Sequence, residues 1–312
     1  MAAITVRNLR KSYARFEAVR GISFEVGEGE VFSLLGPNGA GKTTTVEILE
    51  GYRTATAGAV RVLGYDPATA DPAMYERVGI VLQECGVQDD LSVAELLGMY
   101  ASYYPHPRPI AEVIDLVELD AKRDARAKTL SGGQRRRLDL ALALIGDPDL
   151  IFLDEPTTGF DPSARRQAWS AIRALCSLGK TVFLTTHFMD EAQALADRVA
   201  VVVGGRIVAA GTPADLGGRD HAPTEIRFEL PEGVGLADLP ELSASQVTAT
   251  TGTVTVVTSN GMVDVNRLSG WALERGHDLA GFSVSQPSLE DIYLALTGPT
   301  PPDPDPMAEA LR

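Results

Sequence analysis

The 312-residue sequence has only two cysteines, Cys85 and Cys176. Without metal-ligand spacing they leave no basis for a disulfide framework or a structural zinc site, and they read as cytoplasmic thiols. No apolar run approaches the roughly 18 residues of a spanning helix, so the chain is expected not to cross a bilayer. The N-terminus runs into a strand-like ITVRNL with neither a signal-peptide nor a transit-peptide pattern. Basic residues are the minority, 28 Lys and Arg against 42 Asp and Glu, for a formal charge of -14. Such a surface repels a phosphate backbone and argues against nonspecific nucleic-acid binding, while leaving room for one local basic site.

What is present is the composition of an ordinary soluble globular protein, 45% hydrophobic and 22% charged, long enough for two folded units. Short strand patterns, ITVRNL, ISFEV and VFSLL, fill residues 4–35, and a helix is expected from Thr43. After the β segment AVRVLG and the strand-like GIVLQ, residues 92–104 and 109–119 carry helical periodicity. Two continuous apolar strands, DLIFLD and TVFLTT, flank a helical segment at 163–178, and VAVVVGG with RIVAAG suggests a closing hairpin. Apolar strands alternating with helices predict an α/β core whose parallel strands are covered on both faces.

The turn-rich GGRDHAPT places the main boundary near 217–224. The second unit, about 224–297, reads as a small α+β domain with strands at 225–230, 253–258 and 279–285 and helices at 263–275 and 287–296. Residues 298–312, rich in proline and acid, are expected to be a disordered tail.

The strongest local signal is Gly36-Pro37-Asn38-Gly39-Ala40-Gly41-Lys42-Thr43, a full GxxxxGK[ST] match between an apolar strand and a helix. Its glycines let backbone amides curl around phosphate oxygens, and the positive end of the following helix favours an anion. Lys42 is suited to reach the β- and γ-phosphates and the Thr43 hydroxyl to coordinate Mg²⁺. LIFLDEP supplies the second half: Leu150 to Leu153 make a buried strand that delivers Asp154, suited to hold Mg²⁺, and Glu155, suited to polarise an attacking water. The expected substrate is ATP with Mg²⁺, and the expected chemistry its hydrolysis.

Many nucleotide hydrolases share those two motifs. Leu130-Ser131-Gly132-Gly133-Gln134, opening a helix between them, sets this one apart as a second anion-binding surface available to another chain's nucleotide. Over residues 4–215 the sequence resembles the ATP-binding subunits of ABC transporters. The residues that carry the resemblance are, in order, Tyr13, GPNGAGKTT at 36–44 (ending in Thr44), Gln83, LSGGQ, LIFLDEP, GFD at 159–161 and His187. Phe160 departs from the leucine common there, a conservative apolar change.

The resemblance implies a P-loop NTPase core of the ABC ATPase type with an antiparallel β subdomain and a helical signature subdomain at about 88–145, all within residues 1–217. It also implies two copies packed head to tail around two ATP molecules. Tyr13 would stack on adenine, and Gln83 would sense the metal and attacking water and couple the site to a membrane partner. Ser131 and Gly133, flanked by Gly132 and Gln134, would touch the γ-phosphate held by the opposite copy. Asp161 would communicate across the dimer, and His187 would hold γ-phosphate and water.

Each residue also has a local reading: Tyr13 as a packing tyrosine, Asp161 as a helix cap before Pro162, and Arg135, Arg136 and Arg137 as ion-pair or interface residues. PSLEDIYLALTG at 287–298 and FLTTHFMDEAQALADRVAVVVGGRIVAAGTP resemble the branch that serves separately encoded type-2 export permeases, drug-resistance exporters among them. That branch implies a peripheral subunit on the cytoplasmic face of the cell membrane, partnered by an integral permease and by no nucleic acid. The competing class is a soluble ABC-type ATPase switch acting on a nucleoprotein or translation complex, which a single cassette without a coiled-coil insertion disfavours.

Overall fold

The computed structural model describes residues 2–14, 16–81, 86, 88–216, 223–244, 246–250 and 252–285. The chain divides into two units, Met1–Pro213 and Ala214–Arg312. The first unit runs β1 (Ala2–Tyr13), β2 (Phe16–Gly27), β3 (Val31–Leu35), α1 (Lys42–Leu49), β4 (Ala57–Val62), α2 (Pro72–Tyr75), β5 (Val78–Val81), α3 (Val93–Ala101), α4 (Ile110–Leu116), α5 (Gly132–Leu144), β6 (Leu150–Asp154), α6 (Pro162–Ser177), β7 (Thr181–Thr186), α7 (Met189–Leu195), β8 (Arg198–Val203) and β9 (Arg206–Gly211).

The buried sheet has the order β5-β6-β7-β3-β8-β9, parallel throughout except for β9, which closes an antiparallel hairpin with β8. Strands β3, β6 and β7 are buried at every position, which is why they read as unbroken runs rather than alternating ones. Alternation reappears in what each residue touches. Phe32, Phe152 and Phe183 face a cluster shared with β1, β2, β4 and α1, whereas Ile151, Leu153, Val182 and Leu184 face α3, α4, α5 and α6. The rings of Phe24, Phe32 and Phe183 stack with centroids 5.2–5.8 Å apart. Truncating one of these buried phenylalanines to alanine is expected to cost about 3–5 kcal/mol.

A separate antiparallel sheet, β2-β1-β4, forms the β subdomain. Its first two strands extend well beyond ITVRNL and ISFEV. The outer half of β1 is largely exposed, so no apolar pattern marks it in the sequence. In the helical subdomain, a reciprocal cap between Ser92 and Glu95 starts α3, and Val113, Ile114 and Val117 turn inward from α4 and its C-cap. The seven-residue α7 has no counterpart in the sequence reading.

The second unit is a four-stranded antiparallel sheet with one helix: β10 (Thr224–Glu229), β11 (Gln246–Thr250), β12 (Thr253–Thr258), α8 (Gly261–Arg275) and β13 (Ser283–Ser285), in the order β11-β12-β10-β13. Ile226, Phe228, Val254, Val256 and Leu268 form its core. Strand β11 has no counterpart in the sequence reading, because this edge strand is exposed at all five positions and lacks an inward face. The strand expected at 279–285 shortens to β13. The helix expected at 287–296, the tail at 298–312 and most of the boundary at 217–224 lie outside the described residues. Among the described residues, no helix is long and apolar enough to cross a membrane.

Candidate functional site: a nucleotide cleft at three strand ends

Strands β6, β7 and β3 are neighbours and parallel, so their carboxyl ends emerge side by side. Leu35 is paired with Thr186, and Asp154 with Thr185. The glycine-rich loop after β3, the carboxylates ending β6 and His187 after β7 therefore converge without any one of them being near another in sequence. Ligand sites outside the carboxyl ends of strands are a general consequence of parallel sheets flanked by helices.

The loop is held by close backbone approach. A Cβ at Gly36 would fall 2.3 Å from the Val202 carbonyl oxygen, and one at Gly41 would fall 2.5 Å from that of Ala18. Gly41 also has φ +98°, where a side chain is strained, and from there it caps α1. The Ala40 amide donates to the Pro37 carbonyl and Gly205 donates to that of Ala40, which closes and anchors the turn. Asn38 and Gly39 are left exposed at the rim.

Lys42 is 4% exposed, and its ammonium donates to the carbonyls of Gly36 at 2.8 Å and Pro37 at 3.2 Å. The same nitrogen lies 3.2 Å from Glu155 Oε1, while Glu155 Oε2 is 3.1 Å from His187 Nδ1 and accepts from the Thr158 hydroxyl. Burial pushes the Glu155 pKa up, but Lys42 and then His187 more than offset it, leaving the carboxyl below its usual range. Its backbone sits at φ +45°, and its amide donates to the Thr185 hydroxyl at 3.1 Å.

Asp154 is buried and accepts from the Thr185 hydroxyl. Burial raises its pKa, opposed by the Thr185 hydrogen bond. A carboxylate at a strand end and the Thr43 hydroxyl are hard oxygen donors. That set fits Mg²⁺, which takes one or two protein oxygens and fills its octahedron with water and substrate phosphates. No cluster of three or more His, Cys, Asp or Glu suited to a metal occurs among the described residues, and this kind of site needs none.

A cleft of about 630 Å³ is lined by Tyr13, Phe16, Ala18, Asn38, Gly39, Gly41, Lys42, Thr43, Thr44, Glu155, Thr158 and His187. Tyr13 and Phe16 are cross-strand partners at the tip of the first hairpin and both are exposed. The Lys11 ammonium stands 5.2 Å and the Arg53 guanidinium 5.7 Å from the Tyr13 ring centroid. Sequence reasoning passed over Phe16, although an aromatic three residues after Tyr13 across a tight turn could have signalled it.

The signature residues stand apart from that lining. Ser131 caps α5, its hydroxyl accepting from the Gln134 amide while the Gln134 side chain accepts from the Ser131 amide. Among the described residues, a Cβ added at Gly132 or Gly133 would meet no atom within 4 Å. Asp161 caps α6 by accepting from the amides of Ser163 and Ala164, which lowers its pKa. Arg135 pairs with Asp89, Arg136 donates to the Pro156 carbonyl, and Arg137 reaches Glu118 and Gln167. Gln83 and Cys85 lie outside the described residues.

The ABC transporter family profile matches residues 19–158, and that of the C-terminal domain of ABC transporter domain-containing-like proteins matches 224–288. The chain is 37% identical over 304 residues to the Nod factor export ATP-binding protein I of Paraburkholderia xenovorans, covering 95% of this chain and 97% of that one. It is 38% identical over 306 residues to the daunorubicin/doxorubicin resistance ATP-binding protein DrrA of Streptomyces peucetius, covering 95% and 92%. Among solved structures it resembles cbiO1 of Clostridium perfringens, with TM-score 0.62, 25% identity and coverage of 69% and 90%. It also resembles the ADP conformation of the ATP-binding cassette MJ1267, with TM-score 0.61, 25% identity and coverage of 68% and 91%. With the phosphate loop and Glu155 lining one cleft, and relatives aligned over nearly their whole length, the chain belongs to the ABC transporter family as an ATP-hydrolysing, ATP-binding subunit.

Proposed function

We propose that this subunit energises a separately encoded membrane permease of the type-2 export kind, working as a head-to-tail homodimer on the cytoplasmic face of the membrane. Similarity across 95% of the chain to ATP-binding proteins named for Nod factor export and for daunorubicin resistance supports the exporter branch. The cargo is then a drug-like or hydrophobic compound. The second unit is an accessory domain in this reading.

In the cleft, the loop amides and Lys42 bind the phosphates and the exposed aromatics at the hairpin tip meet the base. Thr43 and Asp154, with Gln83, would hold Mg²⁺, which supplies charge neutralisation to the phosphates. Glu155 orients the attacking water and accepts its proton, and His187 holds that water and the γ-phosphate in line. Asp161 would communicate across the dimer.

The observation that carries the two-chain reading is at the signature helix. Two successive glycines in a first helical turn cost up to about 1 kcal/mol each relative to alanine. Among the described residues, nothing within 4 Å requires them. Bare backbone amides beside an exposed Ser131 suit the γ-phosphate of a second copy. Coupling then follows if ATP favours the closed dimer and the permease distinguishes closed from open.

The test is purification of the tagged chain from membranes. A co-purifying integral permease whose presence stimulates ATP turnover is the expected outcome. A ribosome or DNA in its place would overturn the transport reading in favour of a nucleoprotein switch.

A further inference from the structure

Glu191 lies on α7, four residues after His187, and is fully buried. A carboxylate in such a place is costly unless hydrogen bonded, so its partners indicate what it is for. One oxygen, Oε1, accepts from two donors: the Thr157 hydroxyl at 2.8 Å and the Trp169 indole N–H at 3.1 Å. Thr157 is buried in the turn two residues after Glu155, and Trp169 is on α6, the helix capped by Asp161. Other contacts pin α6 to the segment after His187 without reaching that turn. Arg165 pairs with Asp190 at 3.0 Å and its guanidinium stands 4.1 Å from the Phe188 ring centroid, and that ring packs on His187. Glu191 adds the third piece.

We infer that Glu191 is a positioning residue for hydrolysis: one buried carboxyl oxygen ties the turn leaving Glu155, the helix capped by Asp161 and the segment bearing His187 into one unit. The consequence is that His187 Nδ1 stays within reach of Glu155 as the dimer-facing turn moves. The oxygen must accept two donors from different elements at one point. Glutamine can do this and leucine cannot, because leucine leaves the Thr157 hydroxyl and Trp169 N–H unpaired. This inference rests on the roles given above to Glu155 and His187, and the experiment separates the two.

The experiment measures kcat and KM for ATP by phosphate release from the full-length chain. It compares wild type, Glu191→Gln and Glu191→Leu, each with His187 intact and in a His187→Ala background. Glu191→Leu is expected to lower kcat at least about tenfold with KM within about twofold, because the phosphate loop is untouched. Glu191→Gln is expected to keep kcat within about threefold of wild type. In the His187→Ala background, Glu191→Leu should cost less than about twofold, since there is no imidazole left to position.

Equal fold losses in both backgrounds, or a Glu191→Leu enzyme within about twofold of wild type, would overturn the inference. If His187→Ala alone turns over at the wild-type rate, the reading of the site fails and takes this one with it. If Glu191→Leu does not fold, Thr157→Val and Trp169→Phe each remove one donor and are expected to show the same dependence on His187. Their full additivity with His187→Ala would overturn the inference as well.

Discussion

The Lys42 ammonium lies 3.2 Å from Glu155 Oε1, so the cation proposed to bind phosphate and the carboxylate proposed to activate water form an ion pair. Both side chains are mostly buried, 4% and 13% exposed. On the proposed roles a phosphate entering the cleft would compete with Glu155 for Lys42, whose charge also lowers the Glu155 pKa.

Glu155→Gln is expected to slow hydrolysis by about 10²–10⁴ through loss of general-base assistance. ATP affinity should rise at least about twofold, because a neutral amide competes less for Lys42 and repels phosphate less. Calorimetry with ATP beside a phosphate-release assay reads both. Wild-type turnover would remove the base role, and weaker ATP binding would remove the competition.

Because the Glu155→Gln protein retains its ATP, closed dimers should accumulate on adding ATP. Ser131→Arg in the same protein should abolish that accumulation by placing a long side chain where the opposing γ-phosphate must fit. Light scattering with and without ATP measures it. Equal dimerisation of the double variant would rule out the composite site at its signature face.

At the hairpin tip, Phe16 and Tyr13 offer two exposed rings, and Tyr13 already carries two cations. Phe16→Ala is expected to weaken ATP binding by roughly 5- to 150-fold, from the 1–3 kcal/mol that a base stacked on an aromatic ring contributes. Inorganic tripolyphosphate lacks a base, so its affinity should not change. Equal losses for both ligands would mean that Phe16 shapes the loop rather than the base site.

Glu50, at the end of α1, is 1% exposed, and its pKa is pushed from the ordinary 4.5 up to about 8 by burial first, then by Asp154 and Glu47. The folded state holds that proton where the unfolded state has released it, so stability falls as pH rises from about 4.5 to about 8 and is level above. Glu50→Gln should remove this slope and stabilise the protein at pH 8 by on the order of a few kcal/mol, and by almost nothing at pH 4.5. Urea unfolding across that range in magnesium-free buffer checks it. A gain independent of pH would show that Glu50 does not titrate with folding.

Much of the fold was legible because its chemistry is local. Leu150–Asp154 and Thr181–Thr186 are fully buried strands and so read as unbroken apolar or hydroxyl runs. A phosphate loop needs glycine at fixed intervals, which leaves a pattern that survives without any structure. Strand β11 was illegible for the opposite reason, having no buried face to pattern it. Phe16 was passed over because its importance comes from a cross-strand partner rather than from its own neighbours.

The sequence by itself determined the buried strands, the chemistry of the loop and the order of the motifs, because glycine spacing, apolar runs and strand-end carboxylates act within a few residues. Only the tertiary structure decided that Lys42, Glu155 and His187 touch, since their contact depends on β3, β7 and β6 being adjacent in a sheet whose order differs from that of the chain. It also decided that Glu191, an ordinary acidic residue in an acidic chain, is fully buried and bonded to Thr157 and Trp169. A side chain's burial is set by what packs over it, and Thr157 and Trp169, which donate to Glu191, are each more than twenty positions away.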